Sequence, residues 1–127
     1  QDGFRKDIFV TLYDRDTQTP IYTQRFNANT QYTLIGGSRF KELSAPFTIP
    51  ANTHLVIAAY GYSCNSPYEL NGNSNGAIPE WMTNNGGDAI SFVGKSRYAD
   101  YPDQFPDIHD TGPENRYAAG TLIFQPL

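Results

Sequence analysis

The chain has 127 residues, the size of one domain, and its 39% hydrophobic, 17% charged and 14% aromatic residues make it poorer in charge than an average soluble chain. The formal net charge of -4 comes without a Lys/Arg cluster, which excludes a binder of the nucleic-acid backbone. No stretch approaches the ~20 apolar residues that a membrane-spanning helix needs; the longest apolar run, Leu55 to Tyr60, is strand-sized.

Asp7 to Asp14 alternates Ile8, Val10 and Leu12 with Phe9, Thr11 and Tyr13, two sets of β-branched, apolar or aromatic side chains, and predicts the first strand. Asp14 to Pro20 has turn chemistry, because Asp side chains cap nearby backbone N–H groups and Pro20 has none to donate. Ile21 to Phe26 returns as an antiparallel partner, Asn27 to Thr30 makes a second turn, and Tyr32 to Ile35 makes a third strand ending at the Gly36-Gly37 break.

Pro46 to Pro50 reads as a short extended piece with a turn after it. It feeds His54 to Tyr62, the most apolar segment, expected as the central, doubly buried strand. Ser63 to Asp88 then turns abruptly to Asn, Gly, Ser and Pro around Trp81, and a loop of that length in a compact domain carries function or is disordered; function is the expectation here. Ala89 to Val93 is strand-like, Gly94 to Glu114 is a second long irregular stretch, and Arg116 to Pro126 is expected as the last strand. Short strands at this spacing, with no helix beyond a turn or two, predict an all-β fold: an antiparallel β-sandwich, jelly-roll or Greek-key like, with two long functional loops in a single domain over residues 1–127.

One motif occurs twice. Ile35-Gly-Gly-Ser38-Arg39-Phe40 and Val93-Gly-Lys95-Ser96-Arg97-Tyr98 share the order apolar, Gly, any residue, Ser, Arg, aromatic, which predicts a repeated hairpin-end geometry with each Arg reaching a carboxylate or carbonyl edge.

Asn71, Asn73 and Asn75 with Gly76 imitate the start of an EF-hand loop, but Met82 stands where the twelfth position needs a bidentate carboxylate, so an EF-hand is rejected. Asp100, Asp103, Asp107, Asp110 and Glu114 recur every three or four residues along a proline-stiffened stretch. With Glu69, Asn71 and Asn73 they could supply the six to eight oxygens that Ca²⁺ takes, or they are solvated turn residues. Sugar binding calls for a ring offering its apolar face beside planar polar groups. Trp81, Tyr68, Tyr98, Tyr101 and Phe105 lie in or near the same loops, with Phe105 the expected exposed ring and the packing of these rings onto the sheets as the alternative.

An enzyme is not expected: there is no Gly-x-Ser-x-Gly elbow, His-Glu-x-x-His, Walker loop or zinc-type Cys pair. A start at Gln1, with neither Met nor signal-type h-region, predicts a mature extracellular protein. Cys64, the one cysteine, allows no intrachain disulfide and leaves an interchain bridge in a homodimer or an idle thiol.

Asn71-Gly-Asn73, Phe92-Val-Gly-x-Ser-Arg-Tyr98, Phe105-Pro, Asp110-x-Gly-Pro113 and Asn115-Arg-Tyr-Ala-Ala-Gly-Thr121 follow one another in the chain. In this order, over Asp7 to Phe124, the sequence resembles an extracellular β-domain of bacterial surface proteins and marine invertebrates. It is also similar to the calcium-associated galactose-binding lectins of sea anemones. That second resemblance implies a secreted dimeric lectin for glycans with terminal galactose and Ca²⁺ in or near the site. Phe105, Asn71, Asn73, Glu114 and Asn115 would then contact the sugar, with Asp107, Asp110 and Glu69 on the ion. The alternative is a non-catalytic protein-docking or adhesion module.

Overall fold

A computed structural model describes residues 3–35, 38–62, 85–93, 95–111, 120 and 122–127, which form strands, turns and extended chain and no helix. The strands, in chain order, are β1 (Ile8–Asp14), β2 (Pro20–Phe26), β3 (Thr33–Ile35), β4 (Ser38–Phe40), β5 (Leu55–Tyr60), β6 (Arg97–Tyr98) and β7 (Ile108–His109). They make three antiparallel sheets, ordered β2-β1-β5, β3-β4 and β6-β7, so the fold is all-β. Among the described residues no helix is long and apolar enough to cross a membrane. The chain divides into two compact units, Gln1–Leu70 and Asn71–Leu127.

In the first unit, β1 is the central strand because both of its faces are apolar. Ile8 and Thr11 are each 1% exposed, and Leu12 and Tyr13 are buried with them. The register sets Ile8 opposite Phe26 and Leu12 opposite Tyr22 on one side, and Phe9 opposite Tyr60 on the other. A β-bulge between Leu12 and Tyr13, where Tyr13 pairs with Pro20, lets β2 begin with a residue that cannot donate to the ladder.

Two layers of rings follow from this register. Phe9 and Tyr60 stack across β1 and β5 with centroids 4.9 Å apart and planes 8° from parallel, and the Arg25 guanidinium lies 5.8 Å from the Phe9 centroid. Such a ring pair contributes about 0.5–1.5 kcal/mol beyond its buried area. Phe4 and Tyr32 meet Phe26 edge-on, and Phe47 stacks on Tyr22, so the segments before β1 and after β4 pack against ring side chains of β2.

The turn from Asp14 forms as its chemistry predicts. Asp14 Oδ1 accepts hydrogen bonds from the backbone N–H groups of Asp16 (2.8 Å) and Thr17 (3.0 Å), and these bonds hold its carboxyl below the ordinary carboxylate range. Asp7 is held low in the same sense, by the Ala28 N–H at 2.7 Å and by an ion pair with Arg25. Tyr62, just past β5, shifts the other way, because burial disfavours its phenolate.

The expected central strand, His54 to Tyr62, is instead β5, an edge of the sheet β2-β1-β5 with every residue only half-buried. Its run of apolar residues is matched by β1, whose larger side chains fill both faces and take the middle position. Ala89 to Val93 is not a strand. Gly86, Gly87 and Asp88 all have φ between 63° and 70°, and the Ile90 N–H closes a turn onto the Asn85 carbonyl at 3.0 Å. The last strand expected over Arg116 to Pro126 is absent from residues 122–126, where Ile123 is 77% exposed.

Candidate functional site

The second unit contains a hairpin that the sequence reading placed inside an irregular stretch. Arg97 pairs with His109 and Tyr98 with Ile108, and the ladder is extended by a clasp: the Asp110 N–H donates to the Ser96 carbonyl at 3.1 Å, and Ser96 Oγ donates to Asp110 Oδ2 at 3.3 Å. Two-residue strands hold little by themselves, so this clasp and the packing at the far end of the loop fix residues 99–107.

That packing comes from Phe105 and Pro106. Pro106 is buried, Phe105 is half-buried, and the Arg97 guanidinium lies 6.0 Å from the Phe105 centroid, within cation–π range. Pro102 and Asp103 turn the loop outward, Asp103 at φ 58°, a left-handed conformation that Asp and Asn tolerate better than most residues. Tyr101 and Tyr98 are then left 69% and 51% exposed, beside the exposed Asp100, Asp103, Gln104 and Asp107.

Phe105, expected as the exposed ring, is therefore the loop's anchor, and the open rings are Tyr101 and Tyr98. Asp107 is exposed on the loop, whereas Asp110 is half-buried in the clasp. Asn71, Asn73, Glu69, Glu114, Asn115, Cys64, Trp81 and Tyr68 lie outside the described residues. Among the described residues no three His, Cys, Asp or Glu side chains come together as a cation site, and Asp107 with Asp110 alone supplies far fewer oxygens than Ca²⁺ takes.

The Arg-aromatic pair of the repeated motif lies in a strand both times, but its partners differ. Ser38-Arg39-Phe40 pairs back onto Ile35-Leu34-Thr33, whereas Arg97-Tyr98 pairs forward onto Ile108-His109. Arg39 reaches a carbonyl edge as expected, donating from Nη1 to the Tyr32 oxygen at 2.8 Å, while Arg97 lies over a ring.

The first unit offers a shallow, open groove lined by Gln31, Tyr32, Thr33, Leu34 and Arg39, to which the sequence reading gave no role. The Tyr32 and Arg39 side chains there are engaged internally. The Tyr32 hydroxyl accepts from the Asn27 N–H at 2.9 Å, and Lys41 Nζ sits 5.6 Å from the Tyr32 ring centre while donating to the Arg25 carbonyl at 2.6 Å. The loop of the β6-β7 hairpin, with open rings and open carboxylates together, is the better candidate.

Comparison with protein-family models, with curated proteins and with solved structures gives no match.

Proposed function

We propose that the chain is a secreted, non-catalytic lectin of the β-sandwich type that binds terminal galactose-type sugars on the loop between β6 and β7. The observation that carries this reading is that one short segment closed by the Ser96–Asp110 clasp leaves two tyrosine rings, Tyr98 and Tyr101, open and Asp100, Asp103, Gln104 and Asp107 exposed. A pyranose presents an apolar face to a ring and hydroxyls to carboxylates and amides, and this surface has both partners. Tyr101 takes the stacking role first assigned to Phe105, which holds the loop from beneath. Asn71, Asn73, Glu114 and Asn115 belong to the reading as further hydroxyl contacts. Ca²⁺ belongs to the reading through the exposed Asp107 carboxylate on the same loop.

A monosaccharide of about a dozen heavy atoms, at about 0.3 kcal/mol per atom, gives a Kd of about 2 mM. Dimerisation, with Cys64 as the bridge, would convert such sites into useful avidity on a surface bearing many glycans. The test is a galactose titration followed by thermal unfolding or NMR, with Ca²⁺ and then with EDTA, on the wild type and Tyr101→Ala. Saturable galactose binding lost in Tyr101→Ala supports the reading, and no response to galactose in either ion condition refutes it.

A protein-docking module is the second reading, favoured by β3, where Leu34 and Ile35 are each 53% exposed on a two-stranded ribbon. Neighbouring residues of a strand point to opposite faces, so both sides of that ribbon present an apolar side chain.

A further inference from the structure

Asn is followed directly by Gly in Asn71-Gly72, Asn75-Gly76 and Asn85-Gly86. Such a pair is chemically labile, because a residue without a Cβ leaves its backbone nitrogen open to the preceding carboxamide. Asn85-Gly86 lies within the described residues and is built into a turn. The Asn85 carbonyl accepts from the Ile90 N–H at 3.0 Å, Asn85 Oδ1 accepts from the Asp88 N–H at 3.2 Å, and Asn85 Nδ2 donates to Asp88 Oδ1 at 2.9 Å. Both ends of the carboxamide are therefore tied to Asp88. Glycine at 86 answers to packing: its φ is 63°, and a Cβ there would lie 2.5 Å from Phe124 Cε2. The turn thus needs the labile pair, and Asp88 restrains it.

We infer that Asn85 is a modification site, deamidated by attack of the neighbouring backbone, and that Asp88 sets the rate. In the reaction the Gly86 nitrogen gives its proton to solvent and bonds to Asn85 Cγ. The Cγ–Nδ2 bond breaks, Nδ2 leaves as ammonia, and a cyclic imide remains. Water then opens the imide at either carbonyl: cleavage of the new bond gives Asp, and cleavage of the original peptide bond gives isoaspartate. The sum is amide and water to acid and ammonia, with nothing oxidised or reduced. Before the ring can close, the carboxamide must turn towards Gly86 and release Nδ2, which breaks its two bonds to Asp88, one of them to a charged acceptor. Either product disturbs the turn. A carboxylate at 85 loses the donor and repels that of Asp88, and isoaspartate adds a backbone carbon beside the glycine packed on Phe124.

The test incubates the whole chain for days in mildly alkaline buffer, native and in denaturant, and follows Asn, Asp and isoaspartate at position 85 by mass-spectrometric peptide mapping. The native wild type should convert about fivefold more slowly than the denatured chain, the effect of an exposed hydrogen bond to a charged group. Asp88→Gly suits the left-handed φ of 70° and removes the acceptor, so it should raise the native rate by about the same factor. Asp88→Asn keeps a carbonyl acceptor and tolerates the same φ, so it should stay slow. Melting curves of both variants are recorded alongside, and the slow Asp88→Asn chain keeps the test sound if Asp88→Gly melts early. In Asn85→Asp, which imitates one product, hydrogen exchange at the Ile90 amide should quicken as the turn opens. Native conversion as fast as in denaturant, equal rates in Asp88→Gly and the wild type, or fast conversion in a fully folded Asp88→Asn overturns the role of Asp88. Absence of conversion at Asn85 even in denaturant overturns the site itself, and unchanged Ile90 exchange overturns the effect on the turn.

Discussion

Gly61 is a position where a single methyl group should do much damage for its size. It follows β5 with φ 105°, and a Cβ built there meets the backbone carbonyl of Asp7, with the Asp7 carbonyl carbon and Ile8 Cα both at 3.3 Å. These are backbone atoms at the start of the central strand, so they cannot rotate aside as a flexible side chain could. In Gly61→Ala the unfavourable φ costs about 1–3 kcal/mol. Relief of the contact also moves the end of β5 away from β1, weakening the Phe9–Tyr60 stack by about 0.5–1.5 kcal/mol. The sum is about 3 kcal/mol, which for a unit of this size lowers the melting temperature by about 15 °C. Asn29→Ala, at φ 56° on an exposed residue of the same unit, isolates the backbone cost and should lose only about 1 kcal/mol. Thermal unfolding followed by circular dichroism measures both. Equal destabilisation by the two substitutions would refute the argument that Gly61 is required by the closeness of β1.

The carboxyls of Asp7 and Asp14 titrate below their ordinary value in the folded chain, so their contribution to stability is complete above about pH 4 and fades as the pH falls through the folded values. Acid unfolding of Asp7→Asn and Asp14→Asn should therefore show a weaker pH dependence than the wild type in that range. Tyr62 has the opposite sign: its raised phenol favours the folded state up to about pH 10, and alkaline titration beyond that should destabilise the wild type more than Tyr62→Phe. Thr11→Val removes the buried partner of the Thr23 hydroxyl at 2.9 Å while keeping the shape, and since Thr23 is exposed and can turn to water, chemical denaturation should register a loss of about 1 kcal/mol or less. Ser96→Ala opens half of the clasp; on the proposed lectin reading it should weaken galactose binding several-fold, with only a small change in melting temperature.

The first hairpin was legible from residue type alone, because alternation in Asp7 to Asp14 and the Asp/Pro chemistry of the turn are local signals, and β1, the Asp14 turn and β2 follow them. Which strand takes the centre was not legible. Leu55 to Tyr60 is as apolar as β1, and only the pairing shows that β1 has a neighbour on each side. Ala89 to Val93 has a strand's composition, yet the three left-handed residues before it set a turn whose Ile90–Asn85 bond is invisible in a hydropathy pattern. At the candidate site, the concentration of Asp, Pro and aromatic residues marks the same stretch on which the structure leaves Tyr98 and Tyr101 open. The exposure of its rings depends on which one Arg97 covers, a contact between residues that no sequence spacing links.

The clasp between Ser96 and Asp110 has a consequence for how this surface can change. It fixes the two ends of the loop independently of what lies between them, and the entropy of closing a longer loop rises only with the logarithm of its length, about 0.6 kcal/mol for each doubling. Residues 99–104 are therefore free to be lengthened, shortened or exchanged while Phe105 and Pro106 hold one end and β6 the other. The fold would lend a constant frame to a variable tip, so that a family of recognition surfaces could be raised on it, by evolution or by library selection, without redesign of the sheets.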